Sequence, residues 1–90
     1  MNFPGFDASA AILLTTERQA NGVGIDAISI DAGSATTFPA HKIFAKRGVY
    51  MIENVANLHL LPPKGFRMFV VPFKVDAGTG SPTRLIAQLP

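Results

Sequence analysis

The segment from Val23 to Glu53 has the order strand, helix, strand, and this order restricts the possible folds more than any other feature of the chain. Val23–Ile30 is apolar on both faces apart from two polar positions, which is typical of a strand covered on both sides. Pro39 suits the first turn of a helix, where its missing N–H costs nothing, and Gly48 ends that helix. Val49–Glu53 is a second, mostly apolar strand. Two strands joined through a helix predict a parallel pair with a right-handed crossover.

The rest of the chain adds one helix before this segment and a pair of strands after it. The predicted elements are a helix over Ala8–Gln19, one turn over Asn57–Leu61, and strands over Phe66–Val75 and Thr83–Leu89. Asp7 is placed to cap the first helix, in which Ala10, Leu13 and Leu14 repeat at helical spacing. Pro72 predicts an edge position or a bulge for the third strand, because proline cannot donate to a sheet. The sequence therefore predicts a single α/β domain over residues 1–90, with one β-α-β unit and a C-terminal strand pair.

Composition limits the chain to one small domain with little charge on its surface. Of its 90 residues, 48% are apolar and only 16% are charged, against about 25% in an average soluble domain. A chain this short has a large surface relative to its volume. Part of that surface is therefore expected to be apolar and covered by another chain or by a further part of the same protein. Short length and low charge also predict a homo-oligomer.

Several partners and compartments are disfavoured by the residue types present. The chain has no cysteine, so thiolate metal sites and disulfides are excluded and a reducing, cytoplasmic location is expected. No apolar run reaches the ~18 residues of a membrane span, and residues 1–4 do not resemble the start of a signal peptide. The net charge is +2, and only Lys42, Lys46 and Arg47 are clustered. That cluster predicts a solvated helix face rather than a nucleic-acid partner.

Three polar side chains are expected to meet at one edge of the β-α-β unit. Asp31 follows the first strand, His41 lies in the first turn of the helix, and Glu53 ends the second strand. A helix of about nine residues spans ~13 Å and a strand of about five spans ~16 Å, so the chain returns to the edge that it left. Open α/β sheets bind ligands at this edge.

His41 and Glu53 have the chemistry of metal ligands. A helix N-terminus favours neutral imidazole, the form that binds metals, and a carboxylate at the end of an apolar strand needs water, donors or a cation. Imidazole together with carboxylate suits zinc or manganese, but two ligands make only half a site. A helix-start histidine and a solvated glutamate, with no metal, are the open alternative.

Other polar residues form less specific patterns. Asp26, in mid-strand, is expected to cap a neighbouring loop or to support the site, and Ser29 has no adjacent base that would make it a nucleophile. His59 lies in an apolar stretch and is expected to be packed or on the surface. Gly78–Ser81 lacks the Lys-Ser/Thr of a phosphate-binding loop, so it predicts a hairpin turn.

Four stretches of the sequence resemble, in order and spacing, the C-terminal part of the cyclase family of metal-dependent hydrolases, which includes kynurenine formamidases and isatin hydrolases. They are FPGFDASAAILL, GVGIDAISID, FPAHKIFAKRGVYMIENVANLHLLPPKGF and PFKVDAGTGSPTRLIAQL, and together they cover nearly all of the chain. The most specific part is the pattern H-x(11)-E-N, which runs from His41 to Asn54. The G-S-P-x-R end, from Gly80 to Arg84, supports the resemblance.

The resemblance implies a partial swivelling β/β/α fold and the hydrolysis of amide-type bonds, formamides and lactams among them, at a zinc or manganese site. His41 and Glu53 match family positions that contribute to the metal site. A G-x-D-x-x-S-x-D stretch of the family is matched as well, and it is expected to support the wall of the site. The residues expected in this supporting role are Asp26, Ser29, Asp31 and Asn54.

One signature of the family is missing, and it bears on activity. The H-x-G-T-H-x-D motif, which supplies most of the metal ligands in the family, does not occur in these 90 residues. The chain is therefore expected to be inactive alone, as a C-terminal segment of a metal-dependent hydrolase whose small-molecule amide substrate needs the complete site. The alternative is a non-catalytic relative that folds as a self-associating module.

Overall fold

The chain forms a small α/β structure that divides into two compact units. A computed structural model describes residues 2–90; the first unit ends at Ala56 and the second is Asn57–Pro90. The first contains helix α1 (Ala8–Thr16), strand β1 (Gly22–Gly24), helix α2 (Pro39–Lys46) and strand β2 (Tyr50–Ile52). The second contains a short 3-10 helix (Leu58–Leu60) and strands β3 (Arg67–Pro72) and β4 (Thr83–Gln88). Every predicted element is present, in the predicted order.

The first unit has the predicted β-α-β arrangement. β1 and β2 pair in parallel, with Gly22 opposite Tyr50 and Gly24 opposite Ile52, and α2 lies between them in the sequence. Parallel neighbours end at the same edge of a sheet, so the residues that follow β1 and those that follow β2 come close together. The parallel pair predicted from the order of the elements is confirmed.

Strand β1 is shorter than the predicted strand, which runs to Ile30. Ile25 still donates its N–H to the carbonyl of Ile52 at 3.0 Å, but Asn54 then adopts a left-handed backbone with a φ of 56°. The N–H of Asn54 turns to the carbonyl of Ala27 at 2.8 Å, and the regular ladder ends there. The strand prediction was therefore wrong for most of its length, because the partner strand stops and turns away.

Helix α1 begins at the predicted cap, and its apolar residues are buried to different degrees. Asp7 accepts the N–H of Ala10 at 2.8 Å, which satisfies a free donor of the first turn. Ala11 is buried, whereas Leu13 is 45% exposed. Of the other two residues at the predicted spacing, Leu14 packs against the core and Ala10 is half-buried, so the spacing marks the buried side only in part. This helix is apolar on nearly all sides, so spacing alone does not select the face that packs.

The buried core lies in the first unit and joins its helices and strands. Within residues 2–90, six apolar residues form it: Ala11, Val23, Ile30, Ala40, Phe44 and Val49. Phe44 is the largest of them, is 0% exposed, and meets the ring of Phe6 edge-to-face with the centroids 5.8 Å apart. No residue from 57 to 90 is fully buried. The core therefore fixes α2, the helix that carries His41, against the rest of the first unit.

Gly48 ends α2 as the sequence predicts. Its φ of +72° is a left-handed conformation that glycine adopts without a steric penalty. Gly48 N–H donates to Ala45 O at 3.2 Å, and Val49 N–H donates to Phe44 O at 2.9 Å; these are the paired hydrogen bonds of a Schellman motif. Val49 and Phe44 are both buried, so the same turn also closes the core.

We expect Gly48→Ala to destabilise the chain by about 1 kcal/mol, because a residue with a Cβ enters the left-handed region at a steric cost. Among the described residues, no atom lies within 4 Å of the added Cβ, so the cost comes from the backbone alone. Denaturant unfolding followed by far-UV circular dichroism measures it. Gly80→Ala is the matched control, since its Cβ also meets open space and its φ is not positive. Equal midpoints for the two variants would contradict the role of Gly48 as a left-handed cap.

The second unit contains an antiparallel hairpin. β3 and β4 pair from Arg67 opposite Gln88 to Pro72 opposite Thr83. In this two-stranded sheet each strand is an edge strand, where proline is tolerated, so the edge position predicted from Pro72 is confirmed. β3 ends before Val75, the predicted end, and residues 73–82 form the loop of the hairpin, with the glycine-rich stretch inside it.

One face of the hairpin exposes apolar side chains. Phe69 lies opposite Ile86, with Val71 two positions further along β3, and all three are exposed.

His59, in the 3-10 helix, is also exposed. A surface position is one of the two positions that the sequence predicts for this residue. Within residues 2–90, no helix combines the length and the apolar character needed to cross a membrane.

Candidate functional site

The start of helix α2 depends on a carboxylate from the loop before it. Phe38 has a left-handed backbone with a φ of 52° and gives no side-chain cap. Pro39 has no N–H, so the first free donors of the helix are Ala40 and His41. Asp31 accepts both, at 2.8 Å through Oδ1 and at 3.0 Å through Oδ2. Asp31 therefore takes the place of the missing N-cap side chain.

The imidazole ring of His41 lies between two carboxylates. Its Nδ1 is 2.8 Å from Oδ2 of Asp31, the oxygen that also accepts the His41 backbone N–H. Its Nε2 is 3.4 Å from Oε2 of Glu53. The side chains of His41 and Glu53 are 34% and 36% exposed, whereas that of Asp31 is 1% exposed. The three residues expected at this edge do meet, with Asp31 inside and the other two towards the surface.

Asp31 is ionised although it is buried. Burial is the largest single influence on this carboxyl and opposes ionisation, but the N–H groups of His41 and Ala40 together outweigh it and hold the pKa of Asp31 below its usual value. A carboxylate that accepts several N–H groups is stabilised in its charged form. Asp31 therefore acts as a hydrogen-bond acceptor towards His41.

Glu53 is held by the main chain of the segment that follows β1. Ile30 donates its N–H to Oε2 of Glu53 at 3.2 Å. Asn54 follows in the left-handed conformation, which turns the chain away directly after the carboxylate. Oε2 of Glu53 therefore faces His41 from a position fixed by the Ile30 N–H, next to a turn that ends the strand.

Asp26 and Ser29 do not join this cluster through hydrogen bonds. Both lie in the bends that replace most of the predicted strand, with Asp26 exposed and Ser29 half-buried. The mid-strand position of Asp26 was therefore wrong, for the reason given for β1. Along residues 2–90, no hydrogen bond connects either side chain with Asp31, His41 or Glu53. Their supporting role stays a prediction.

Two residues beside the cluster were missed by the reasoning from sequence. The ring of Phe38 meets the His41 imidazole edge-to-face, with the centroids 6.0 Å apart. Gly5 lies against the segment that contains Asp31: a Cβ on Gly5 would come within 2.7 Å of the Ile30 carbonyl oxygen and closer still to the backbone that follows it. Gly5 stands after a proline, which indicates only a turn. No local pattern signals that Phe38 is left-handed or that Gly5 contacts a segment so distant in the sequence.

His41 and Glu53 fit the donor set of a divalent metal site, and Asp31 supports them. Nε2 of His41 and Oε2 of Glu53 face each other, and both atoms are of types that bind divalent metals. Their separation of 3.4 Å is longer than a usual N–H···O hydrogen bond. It matches the spacing, about 3.4 Å, of two ligands that are each about 2.0–2.2 Å from a tetrahedral zinc ion. Within residues 2–90, no group of three or more His, Cys, Asp or Glu side chains is placed to hold a metal, so a site built on this pair needs further ligands.

Comparison with known proteins relates the chain to a group of hydrolases. No protein-family model matches it. It is 38% identical over 73 residues to isatin hydrolase of Roseibium aggregatum and 29% identical over 68 residues to kynurenine formamidase of Paracidovorax citrulli. These alignments include 77% and 76% of this chain, but only 28% and 31% of the two relatives.

Solved structures share the fold. Isatin hydrolase A from Ralstonia solanacearum superposes on 99% of this chain with a TM-score of 0.90 and 30% identity, over 35% of its own length. A potential metal-dependent hydrolase with cyclase activity superposes on 92% of this chain with a TM-score of 0.73, over 40% of its own length. The α/β class is confirmed, and the chain corresponds to less than half the length of each of the relatives described above.

Proposed function

Since the chain is a homologue of one segment of the cyclase-family hydrolases, we propose that it supplies part of the divalent-metal site of such an enzyme. In this proposal His41 and Glu53 bind the ion, which is zinc or manganese, and the other ligands come from outside these 90 residues. The residues that support the wall of the site are Asp26, Ser29, Asp31 and Asn54. A cytoplasmic location, expected for a chain without cysteine, belongs to the same proposal.

The observation that carries the proposal is the approach of His41 Nε2 to Glu53 Oε2, which lie 3.4 Å apart. Two acceptors that face each other repel unless a proton or a cation lies between them. Asp31 holds the ring, and the Ile30 N–H holds the carboxylate, so the pair separates only by losing those hydrogen bonds. A divalent ion satisfies both acceptors at once, and one structural relative is described as a potential metal-dependent hydrolase.

The proposed reaction is hydrolysis of an amide-type bond in a small molecule, a formamide or a lactam. The names of the relatives, isatin hydrolase and kynurenine formamidase, support this substrate class. A divalent metal supplies Lewis-acid polarisation of the substrate carbonyl and activation of water. His41 and Glu53 hold and orient the ion, and Asp31 keeps the imidazole from turning. Catalytic metal sites use about three protein ligands, so the chain by itself is expected to have no hydrolase activity.

Titration of the purified chain with zinc chloride should perturb His41 at a lower zinc concentration than His59. The chain has only these two histidines, so their imidazole signals can be followed separately by NMR. His59 is exposed in the second unit and reports weak binding to a single imidazole. Because Glu53 adds a second ligand beside Nε2 of His41, we expect a difference of about tenfold or more, which corresponds to about 1.4 kcal/mol of binding free energy.

Glu53→Gln should bring the zinc response of His41 to the level of His59, since the amide oxygen is a far weaker ligand than a carboxylate. Glu17→Gln is the matched control, because Glu17 is an exposed carboxylate at the end of α1. This control should respond to zinc as the wild-type chain does. Equal responses of His41 and His59 in the wild-type chain would contradict the metal role.

The hydrolase role needs a separate assay. Hydrolysis of isatin and of a formamide of kynurenine should be undetectable with the chain and metal alone. Activity should appear when the chain is combined with a polypeptide that carries the H-x-G-T-H-x-D motif. Turnover by the purified chain alone would contradict the incomplete site. Zinc bound at His41 without turnover in any combination would contradict the hydrolase.

A second candidate function is a non-catalytic module that associates with copies of itself. It is favoured by the exposed apolar face of the hairpin, formed by Phe69, Val71 and Ile86. Light scattering at several protein concentrations tests it. A mass above that of the monomer, lowered by Phe69→Ser, together with no specific zinc response at His41, would favour the module over the hydrolase segment.

A further inference from the structure

We infer that Asp31 is a positioning residue that fixes His41 in the tautomer with its hydrogen on Nδ1, so that Nε2 is the nitrogen left to bind a metal. This inference rests on the proposed function and adds how the chain prepares one of its ligands. It assigns to Asp31 a task distinct from supporting the wall of a site or capping a helix.

Three N–H groups converge on the Asp31 carboxylate. Oδ1 accepts the N–H of Ala40 at 2.8 Å, and Oδ2 accepts the backbone N–H of His41 at 3.0 Å and lies 2.8 Å from its Nδ1. A buried carboxylate in these contacts is an acceptor only. The imidazole nitrogen that faces it must therefore be the donor.

One oxygen of Asp31 holds both the main chain and the ring of the same residue. Because Oδ2 binds the N–H and Nδ1 of His41 together, the orientation of the ring is tied to the start of α2. If the imidazole ring flipped, a ring carbon would take the place of Nδ1 beside Asp31. The buried carboxylate would then lose one of its hydrogen-bond donors, which costs free energy. A single rotamer and a single tautomer are therefore favoured together.

The tautomer decides what His41 offers to Glu53. An imidazole with its hydrogen on Nε2 would donate that hydrogen towards Oε2 of Glu53, and no lone pair would remain there for a metal. The form with its hydrogen on Nδ1 leaves Nε2 unprotonated and able to bind a metal. In metal-binding histidines, the tautomer is set by the hydrogen bond that the ring nitrogen not bound to the metal donates to its own partner. A free imidazole side chain in water prefers the hydrogen on Nε2, so Asp31 selects the opposite form.

Asp7 provides a matched case of capping without a histidine. It caps α1 by accepting the Ala10 N–H at 2.8 Å, with the Ser9 hydroxyl as a second donor. If Asp31 acted only as a cap, replacing it would affect the helix and leave the tautomer of His41 unchanged. The tautomer is therefore the measurement that separates positioning from capping.

The experiment is NMR of the imidazole nitrogens in the metal-free 90-residue chain at about pH 9, where an ordinary imidazole is neutral. In the wild-type chain, His41 should carry its hydrogen on Nδ1 and His59 mainly on Nε2. In Asp31→Ala, His41 should change to mainly Nε2–H, and zinc binding at His41 should weaken by about 10–100-fold. In Asp7→Ala, His41 should keep the Nδ1–H form and the wild-type zinc affinity.

A wild-type His41 with its hydrogen on Nε2 would overturn the inference, and so would an Nδ1–H form that persists in folded Asp31→Ala. The wild-type measurement needs no variant, so it stays decisive even if Asp31→Ala does not fold. Asp31→Asn keeps the volume of the side chain and one acceptor, and it should give a mixture of the two tautomers.

Failure of the proposed function would give a different result. His41 would then carry its hydrogen on Nδ1 in the wild-type chain and lose it in Asp31→Ala, but zinc would affect His41 no more than His59. That result would contradict the metal role and support the control of the tautomer by Asp31.

Discussion

Replacement of Phe44 by alanine is expected to lower the free energy of unfolding by about 3–5 kcal/mol. Phe44 is 0% exposed, packs against Phe6 and belongs to a core of six buried apolar residues in the described part of the chain. A domain of this size has a total free energy of unfolding of about 5–13 kcal/mol, so a large part of it would be lost. Because Phe44 lies on α2, the helix that begins at the site, the distinct signals of the His41 imidazole should be lost with it.

Phe73→Ala is the matched control for this change. It removes the same ring from a residue that is 68% exposed, and surface substitutions of this kind usually change stability by less than about 0.5 kcal/mol. Denaturant unfolding of both variants, followed by circular dichroism, compares the midpoints directly. Similar midpoints would show that the stability of the chain does not depend on the core around α2.

Gly5→Ala is expected to cost about 1–3 kcal/mol, because the added methyl group overpacks a site that has no room for it. The new Cβ would come within 2.7 Å of Ile30 O and closer still to the backbone of Asp31 and Ala32. These are main-chain atoms, which cannot rotate away as the end of a side chain can. The segment must therefore shift, and Asp31 shifts with it.

Two measurements together test the Gly5 substitution. Denaturant unfolding gives the loss of stability, and the imidazole signals of His41 report whether Asp31 has moved. Gly80→Ala controls for the added methyl group, since no described atom lies within 4 Å of it. An unchanged midpoint together with unchanged His41 signals would mean that the contact between Gly5 and the Asp31 segment has no effect on the site.

Local signals in the sequence predicted the elements that carry the site. Proline at the first turn and glycine after the last turn gave the bounds of α2, because both residues have strict backbone preferences. Asp7 was predicted as a cap from its position alone. The parallel pairing followed from a helix between two apolar strands. These features depend on neighbouring residues, so one sequence is enough to predict them.

The meeting of Asp31, His41 and Glu53 was also predicted, from parallel topology that brings strand ends and the start of the intervening helix to one edge. The reasoning holds for His41 and Glu53, but Asp31 reaches the site through the irregular segment after β1 and not from a strand end. The hydrogen-bonding pattern was not predicted. Asp31 replaces an N-cap that Phe38 does not provide, and nothing in the local sequence indicates that a residue so far upstream will do so. The metal role of His41 and Glu53 stays a prediction.

Contacts between distant segments account for what the sequence did not predict. β1 stops early because Asn54, near the other end of the unit, turns left-handed. The buried face of α1 is set by its packing against α2, since the helix itself is apolar almost all round. No spacing or periodicity in the sequence predicts that Gly5 lies close to the backbone of Asp31. Each depends on a partner that only the folded chain provides.

The hydrogen bonds around His41 close short loops, which has a consequence for folding. They join partners 10 and 23 positions apart, His41 with Asp31 and Ile30 with Glu53. The entropy of loop closure grows only with the logarithm of loop length, so the longer closure costs about 0.7 kcal/mol more than the shorter one. Contacts between residues close along the chain also form quickly. The hydrogen bonds at the start of α2 therefore cost less loop-closure entropy than contacts between more distant parts of the chain, such as that of Phe6 with Phe44.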